Sequence, residues 1–514
     1  MLCGVAATCS LRDYGPAAWS DVGLGPASSA GHRRGRDGGG CCIWMFCGPG
    51  CGWRSQSGPR VKRGASKGVE EVMAFEGVPS GLGGGTLAPV TSDILLTSGS
   101  HARRMLIMPT PLEGIRVVDF TRYQNGPHAT AMLADMGADV LKVEMPGNGD
   151  PGRQLGVGAD GFCSYFEALN RGKRSMTLDL RADGAIEVVH KLIEDADVLT
   201  ENFRPGYLDS IGLGYDDLKQ VNPQLIYATN SGFGPEGEWA TRGSFDVVAQ
   251  GMSGAMIALG GGPGERPITA PWGLADQTGS LLFAYGIVTA LFARSQHGVG
   301  QKIDVSQLGA MLTLQALSLQ AFLHSGFQPV LKPGRSFSAT FSWYQAGDGK
   351  WFTMGLLDPK SWVPLCEALE RPDLLNDERS TDPFQRRDNE EWLRSELEQT
   401  FQQRTRDEWL ARMIAARIPC GPVYDYEEVA EDNHFWLNGY LQSPPHPHFE
   451  DHKVVGIPVS FSETRTQVQS SAPELGQDTE LELLNLGYDW PDIERLHDSG
   501  VTAVKHQGSA AAGD

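Results

Sequence analysis

The 514-residue chain is predicted to be an α/β protein with a parallel sheet, carrying a second, smaller α+β domain. Three observations predict this. Between Pro111 and Leu323, short β-branched runs alternate with helix-length apolar segments, the rhythm of βαβ units. From about Ser342 the texture changes to a hairpin and then a series of helices. Near the C-terminus, APELGQDTELELLNLGY reads as a capped helix that returns to pack on the first domain. The bounds read this way are a leader over 1–108, the large domain over 109–325, a linker and small domain over 326–455, and a return and tail over 456–514.

Taken in order, Ile115–Phe120 is a β-branched strand and His128–Met136 a helix with Ala, Met and Leu at spacing 3–4. Gly137 ends that helix in the position where a left-handed residue is favoured, and Val140–Val143 is the next strand. Ser175–Asp179, Val198–Glu201 and Leu225–Ser231 are further strands, with a helix over Asp183–Asp195. A helix is expected over Val247–Ala255. The helix after Asp276 is apolar on nearly every side and is expected to be buried all round. HGVGQKIDVSQLGAMLTLQALSLQAFL gives a turn, a strand and one long apolar helix. In the second domain, Tyr344–Leu356 is a hairpin about a Gly-Asp-Gly turn. Helices follow over Lys360–Glu370, Asn389–Gln402 and Arg406–Ala416.

Composition sets outer limits. The chain is 40% hydrophobic and 21% charged, with a net charge of −20, which argues against nucleic acid as a partner. No run of 18 apolar residues offers a membrane span. The first 108 residues are Gly-, Ser- and Arg-rich, carry +4 and hold six of the nine cysteines. They cannot bury enough apolar surface to order themselves. They read as a disordered leader, which as a transit peptide would direct the chain to the mitochondrion or another organelle, although Asp13, Asp21 and Asp37 count against a transit peptide. The body has three scattered cysteines, which suits a soluble protein of a reducing intracellular compartment.

Candidate site residues stand out by context. Asp246 is a lone carboxylate in the small and apolar run SFDVVAQGMSGAM, and is either the N-cap of the helix that follows or reactive. Gln124 lies on the loop after the first strand, at the end of the sheet where open α/β folds bind ligands. Lys173 and Arg174 precede a strand, either as a ligand's phosphate contacts or as a solvated surface pair. NFRPG, with Asn202 and Arg204, offers an anion site at a helix start. No GxGxxG follows the first strand.

PLEGIRVVDFTRYQNGP, GADVLKVEMPGNGD, LNRGKRSMTLDL, ADVLTENFRPG, GSFDVVAQGMSG, HGVGQKIDVS, YQAGDGKWF and PCGPVYDYEE together resemble the family III CoA-transferases over roughly 111–490. The resemblance implies a Rossmann-like large domain built from both ends of the body, a smaller domain, and two chains threaded into an interlocked homodimer. It implies Asp246 as nucleophile, and Gln124, Asn170, Lys173, Arg174, Asn202 and Arg204 in segments lining the CoA site. It implies coenzyme A thioesters as substrates, a succinyl-CoA-type donor with a small dicarboxylate acceptor, and no prosthetic group or metal. The sequence departs from the pattern at Met145, where some members have a basic residue. Glycine loops at Gly232–Gly237 and Gly260–Gly262 are candidates to hold the oxyanion. Two rivals remain: a 2-methylacyl-CoA racemase and a non-catalytic CoA-binding scaffold. Racemases of this fold carry His before the matching Asp, and Phe245 cannot carry a proton.

Overall fold

The structure, a computed structural model, describes residues 108–330 and 333–503; the leader reading falls on residues outside those described, apart from Met108. Six parallel strands form the central sheet: β1 (Arg116–Asp119), β2 (Asp139–Glu144), β3 (Arg174–Thr177), β4 (Val198–Glu201), β5 (Ile226–Ser231) and β6 (Gln301–Ser306). Their spatial order is β3-β2-β1-β4-β5-β6, the doubly wound arrangement. Successive side chains of a strand face opposite ways, so β1 feeds two cores. Val117 joins Val140, Val198, Phe283 and Ile287 on one face. Val118 joins Leu141, Val188, Leu192 and Leu199 on the other.

Helix α1 (Asn125–Asp135) packs Ala129, Met132 and Leu133 into the first of these cores, beginning three residues before its predicted start. Gly137 closes it at φ +96°, and a Cβ there would fall 1.9 Å from the Thr110 hydroxyl, so no other residue fits. Helix α2 (Asp246–Met252) and helix α3 (Leu274–His297) follow β5. The structure corrects the reading of α3 as buried all round. Ala275, Phe283, Ile287 and Leu291 are buried, but Leu281, Tyr285, Val288 and Phe292 are 57%, 69%, 36% and 65% exposed. Their spacing is that of one helical stripe. The long helix expected after β6 is two, α4 (Gln307–Leu314) and α5 (Ala316–Ser325), divided at Gln315, where φ −93° and ψ 12° leave the helical range.

The second unit is a three-stranded antiparallel sheet, β7 (Phe341–Gln345), β8 (Trp351–Gly355) and β9 (Cys420–Pro422). Helices Trp362–Ala368, Glu390–Phe401 and Arg406–Ala415 close around Phe352, Leu365, Leu397, Phe401 and Trp409. The chain then returns to the large sheet. The Asp478 carboxylate accepts from the Ser175 N–H at 2.9 Å, and the Thr479 hydroxyl accepts from the Thr177 N–H at 3.0 Å. Helix α6 (Thr479–Asn485) is thereby held at the β3 edge, with Leu483 in the large-domain core.

Candidate active site

Strand β1 pairs with both β2 and β4, so the chain winds away in opposite directions from the β1–β4 seam. The loops leaving these two strands cannot cover each other's ends, and a crevice opens there. Reciprocal bonds stitch its walls together. The Arg122 N–H donates to Asn202 Oδ1 at 2.9 Å, and Asn202 Nδ2 donates to the Arg122 carbonyl at 2.8 Å. Two hollows flank this stitch and share Arg122, Phe203 and Arg204. One, of about 410 Å³, is lined by Met145, Leu178, Leu180, Arg181 and Tyr207. The other, of about 210 Å³, is lined by Gln124, Asn230, Gly232, Phe245, Asp276 and Gln307. Arg122 and Arg204 pair with no carboxylate among the described residues, an unusual position for cations in an acidic chain.

Asp246 opens α2 behind the second hollow. The N-cap reading is corrected: Phe245 is the N-cap residue and Asp246 the first residue of the helix. Its carboxylate reaches across to the start of α3. Oδ1 accepts from the Ala275 N–H at 2.7 Å and the Asp276 N–H at 3.3 Å, while Oδ2 accepts from Gln250 Nε2 at 2.6 Å. Two helix N-termini thus converge on one carboxylate, each a source of partial positive charge. Gln250 is fully buried and makes three further bonds. Its Nε2 donates to the Ala270 carbonyl, and its Oε1 accepts from the Thr269 hydroxyl and the Ala270 N–H. Each of its amide atoms therefore has two partners, and its rotamer is fixed.

Gln124 joins the same place from β1, donating through Nε2 to the Trp272 carbonyl at 3.2 Å. Gly273 is in the left-handed region at φ +66°, and a Cβ there would sit 2.6 Å from Gln124 Nε2, so the close approach requires glycine. Burial, together with the weaker repulsion of Asp246, pushes the Asp276 carboxyl up to about 6, although Gln307 Nε2 donates to its Oδ1. Phe245 is 65% exposed and meets Tyr123 edge-on at 6.0 Å.

The remaining sequence candidates divide. Asn202 and Arg204 line the crevice with Gln124. Lys173 does not reach it, and the surface-pair alternative is corrected. Its ammonium is fully buried and donates to Asp119 Oδ2 at 2.9 Å, Asn170 Oδ1 at 2.9 Å and the Pro127 carbonyl at 3.0 Å. Burial pushes this lysine down to about 8, with Asp119 opposing the shift. Burial would raise the Asp119 carboxyl, but Lys173, Lys142 and the Thr121 bond together hold it far below the carboxylate range. Asn170 is 1% exposed and is committed to Lys173 and to the Phe166 carbonyl. Arg174 pairs with Asp139 and Glu482 at the outer side of β3. Gln250 was missed by sequence reasoning; its only signal is the i+4 spacing from Asp246.

Comparison with known proteins shows the family. The profile of CoA-transferase family III matches residues 112–479. The formyl-CoA:oxalate CoA-transferase of Streptomyces coelicolor is 33% identical over 76% of this chain and 98% of its own. The succinyl-CoA:mesaconate CoA-transferase of Haloarcula hispanica is 33% identical over 71% and 94%. A crystal structure of a CAIB/BAIF family protein from Brucella suis superposes with a TM-score of 0.66 at 33% identity, covering 74% of this chain and all of the other. The chain belongs to CoA-transferase family III and is a CoA-transferase.

Proposed function

We propose that Asp246 is the nucleophile that moves CoA from an acyl-CoA donor to a carboxylate acceptor, with a succinyl-type donor and a small dicarboxylate acceptor. The carrying observation is the placement of its carboxylate at the start of α3, beside Gln124 and behind a hollow that continues into the switch-point crevice. An Asp246 oxygen attacks the thioester carbonyl; the C–S bond breaks and CoA thiolate leaves, forming a mixed anhydride. The thiolate attacks the Asp246 carbonyl carbon, expels the donor carboxylate and leaves an aspartyl-CoA thioester. The acceptor carboxylate displaces the thiolate to form a second anhydride. Attack of the thiolate on the acceptor's acyl carbon then releases the new thioester and restores Asp246.

In the second and third steps the tetrahedral centre is the carbon of Asp246 itself. The Ala275 and Asp276 N–H groups already point at its Oδ1, so they suit the oxyanion formed there. One such donor contributes about 3–4 kcal/mol of barrier lowering in comparable acyl transfers. Of the glycine loops, Gly232 lines the hollow and suits the oxyanion of the donor thioester. The succinyl and dicarboxylate assignment draws support from a relative named for succinyl-CoA and mesaconate and another for oxalate. The larger hollow, with Arg122, Arg181 and Arg204 around apolar walls, suits the nucleotide end of CoA. The stripe Leu281, Tyr285, Val288 and Phe292 suits cover by a second copy in an interlocked homodimer.

The racemase reading needs a proton carrier at position 245 to act with Asp276 as the other acid/base residue; Asp276 lines the hollow, but Phe245 cannot carry a proton. The scaffold reading predicts CoA binding without covalent capture. Incubation with a panel of acyl-CoA donors, followed by hydroxylamine trapping and mass analysis of the Asp246 peptide, tests all three. The expected result is a hydroxamate mass shift on Asp246 that is lost in Asp246→Ala, with transfer activity lost and fold and assembly kept. Substantial residual transfer in that variant overturns the mechanism.

A further inference from the structure

Outside the residues that hold Asp246, helix Ser164–Asn170 meets the segment that returns from the small domain. Glu167, His446 and His452 each present a ligand atom there, all within 4.8 Å of one another. His446 Nε2 lies 3.4 Å from Glu167 Oε1. Four-coordinate zinc with bonds of about 2.0–2.1 Å spaces its ligand atoms about 3.3 Å apart. The other Glu167 oxygen accepts from the Ala472 N–H at 2.9 Å, which fixes the carboxylate and leaves Oε1 aimed at the cluster. His452 is the telling residue. It is 3% exposed, and neither ring nitrogen has a hydrogen-bond partner. Buried polar atoms of this kind are rare without a ligand or an ion. A hollow of about 610 Å³, lined by Glu167 and His446, gives entry.

We propose that Glu167, His446 and His452 form a structural site for a divalent transition cation of the zinc class, clamping the C-terminal return onto the large domain. Two imidazoles and one carboxylate suit zinc, and the hollow leaves a fourth position for water. Metal-free, His446 Nδ1 accepts from the His448 and Phe449 N–H groups, so Nε2 carries the proton toward Glu167. Ligation through Nε2 moves that proton to Nδ1 and opens the 446–449 turn, so binding is coupled to a local rearrangement.

The test uses the full chain, stripped with chelator and titrated with Co²⁺ and, separately, Zn²⁺. Free cysteines, Cys163 on the same hollow among them, can also take these metals through thiolate, so the reading is the difference between wild type and His452→Gln. The expected difference is one equivalent of zinc by elemental analysis and a set of cobalt d–d bands without thiolate charge transfer. Glu167→Gln gives the same loss and carries the comparison if His452→Gln does not fold. Equal metal content and equal spectra in wild type and variants overturn the site.

Discussion

Replacing Lys173 with methionine separates a structural cation from a phosphate contact. Methionine keeps most of the volume but deletes the charge that faces Asp119, and both side chains are 0% exposed. Removing one partner of a buried ion pair costs about 3–5 kcal/mol, because the other charge is left uncompensated. Here the lower end applies. Asp119 keeps bonds from the Thr121 N–H, the Thr130 hydroxyl and the Thr200 hydroxyl, and Lys142 remains close enough to stabilise its charge. About 3 kcal/mol lowers the melting temperature by roughly 6–12 °C for a unit of this size. The loss has a pH signature. Asp119 titrates far below an ordinary carboxyl, so its contribution is complete above about pH 4–5 and falls away in acid. The gap between wild type and Lys173→Met therefore narrows only as pH falls below about 4, toward the value at which folded Asp119 takes up its proton. Thermal unfolding followed by circular dichroism at pH 7 and at about pH 3 measures it, alongside KM for the acyl-CoA at pH 7. An unchanged melting temperature with a tenfold rise in KM refutes the reasoning and returns Lys173 to the CoA site.

Two more outcomes follow from the same geometry. Gln250→Leu frees Asp246 Oδ2 and strands the Ala270 N–H and carbonyl. The expected effect is a 10–100-fold fall in kcat, about 1.4–2.8 kcal/mol, with KM for the acyl-CoA within about twofold; an equal rise in KM counts against a positioning role. Asp276 titrates near 6 when folded, so the native state holds a proton that the unfolded chain lacks between about pH 4 and 6. Stability should fall across that window by at most about 3 kcal/mol and then level off. Urea unfolding of Asp276→Asn should lack this decline, and an identical pH profile in wild type and variant removes Asp276 as its source.

The strands were legible because β-branched runs bounded by Gly and Pro admit few other readings; Val198–Glu201 needs no adjustment. Asp246 was legible because a charge among small residues demands a partner. Its partners were not, since the Ala275 N–H lies 29 residues along the chain, and backbone donors leave no mark on residue type. Lys173 shows the converse limit. A basic residue beside Arg171 and Arg174 reads as a phosphate contact or as half of a surface pair, and only the fold shows it fully buried against Asp119. The grouping of Glu167, His446 and His452 was invisible because Glu167 and His446 stand 279 residues apart.

Helix α3 carries the argument one step further. Its uniform apolarity was read as burial on every side, yet a helix lying on a sheet contacts it along only one stripe. Phe283 and Ile287 fill that stripe, and Tyr285 and Phe292 look outward. Residue pattern states how much surface must leave water, but it does not say which chain covers it. The outward residues begin at Leu281, about one and a half turns beyond the N–H groups that hold Asp246. A second copy seated on them, as in the homodimer proposed above, would also bound the nucleophile's side of the crevice. Substituting Tyr285 and Phe292 together by serine should then lower both the sedimentation coefficient and the transfer rate. A variant that loses assembly but keeps full activity separates the two, and leaves the site complete within one chain.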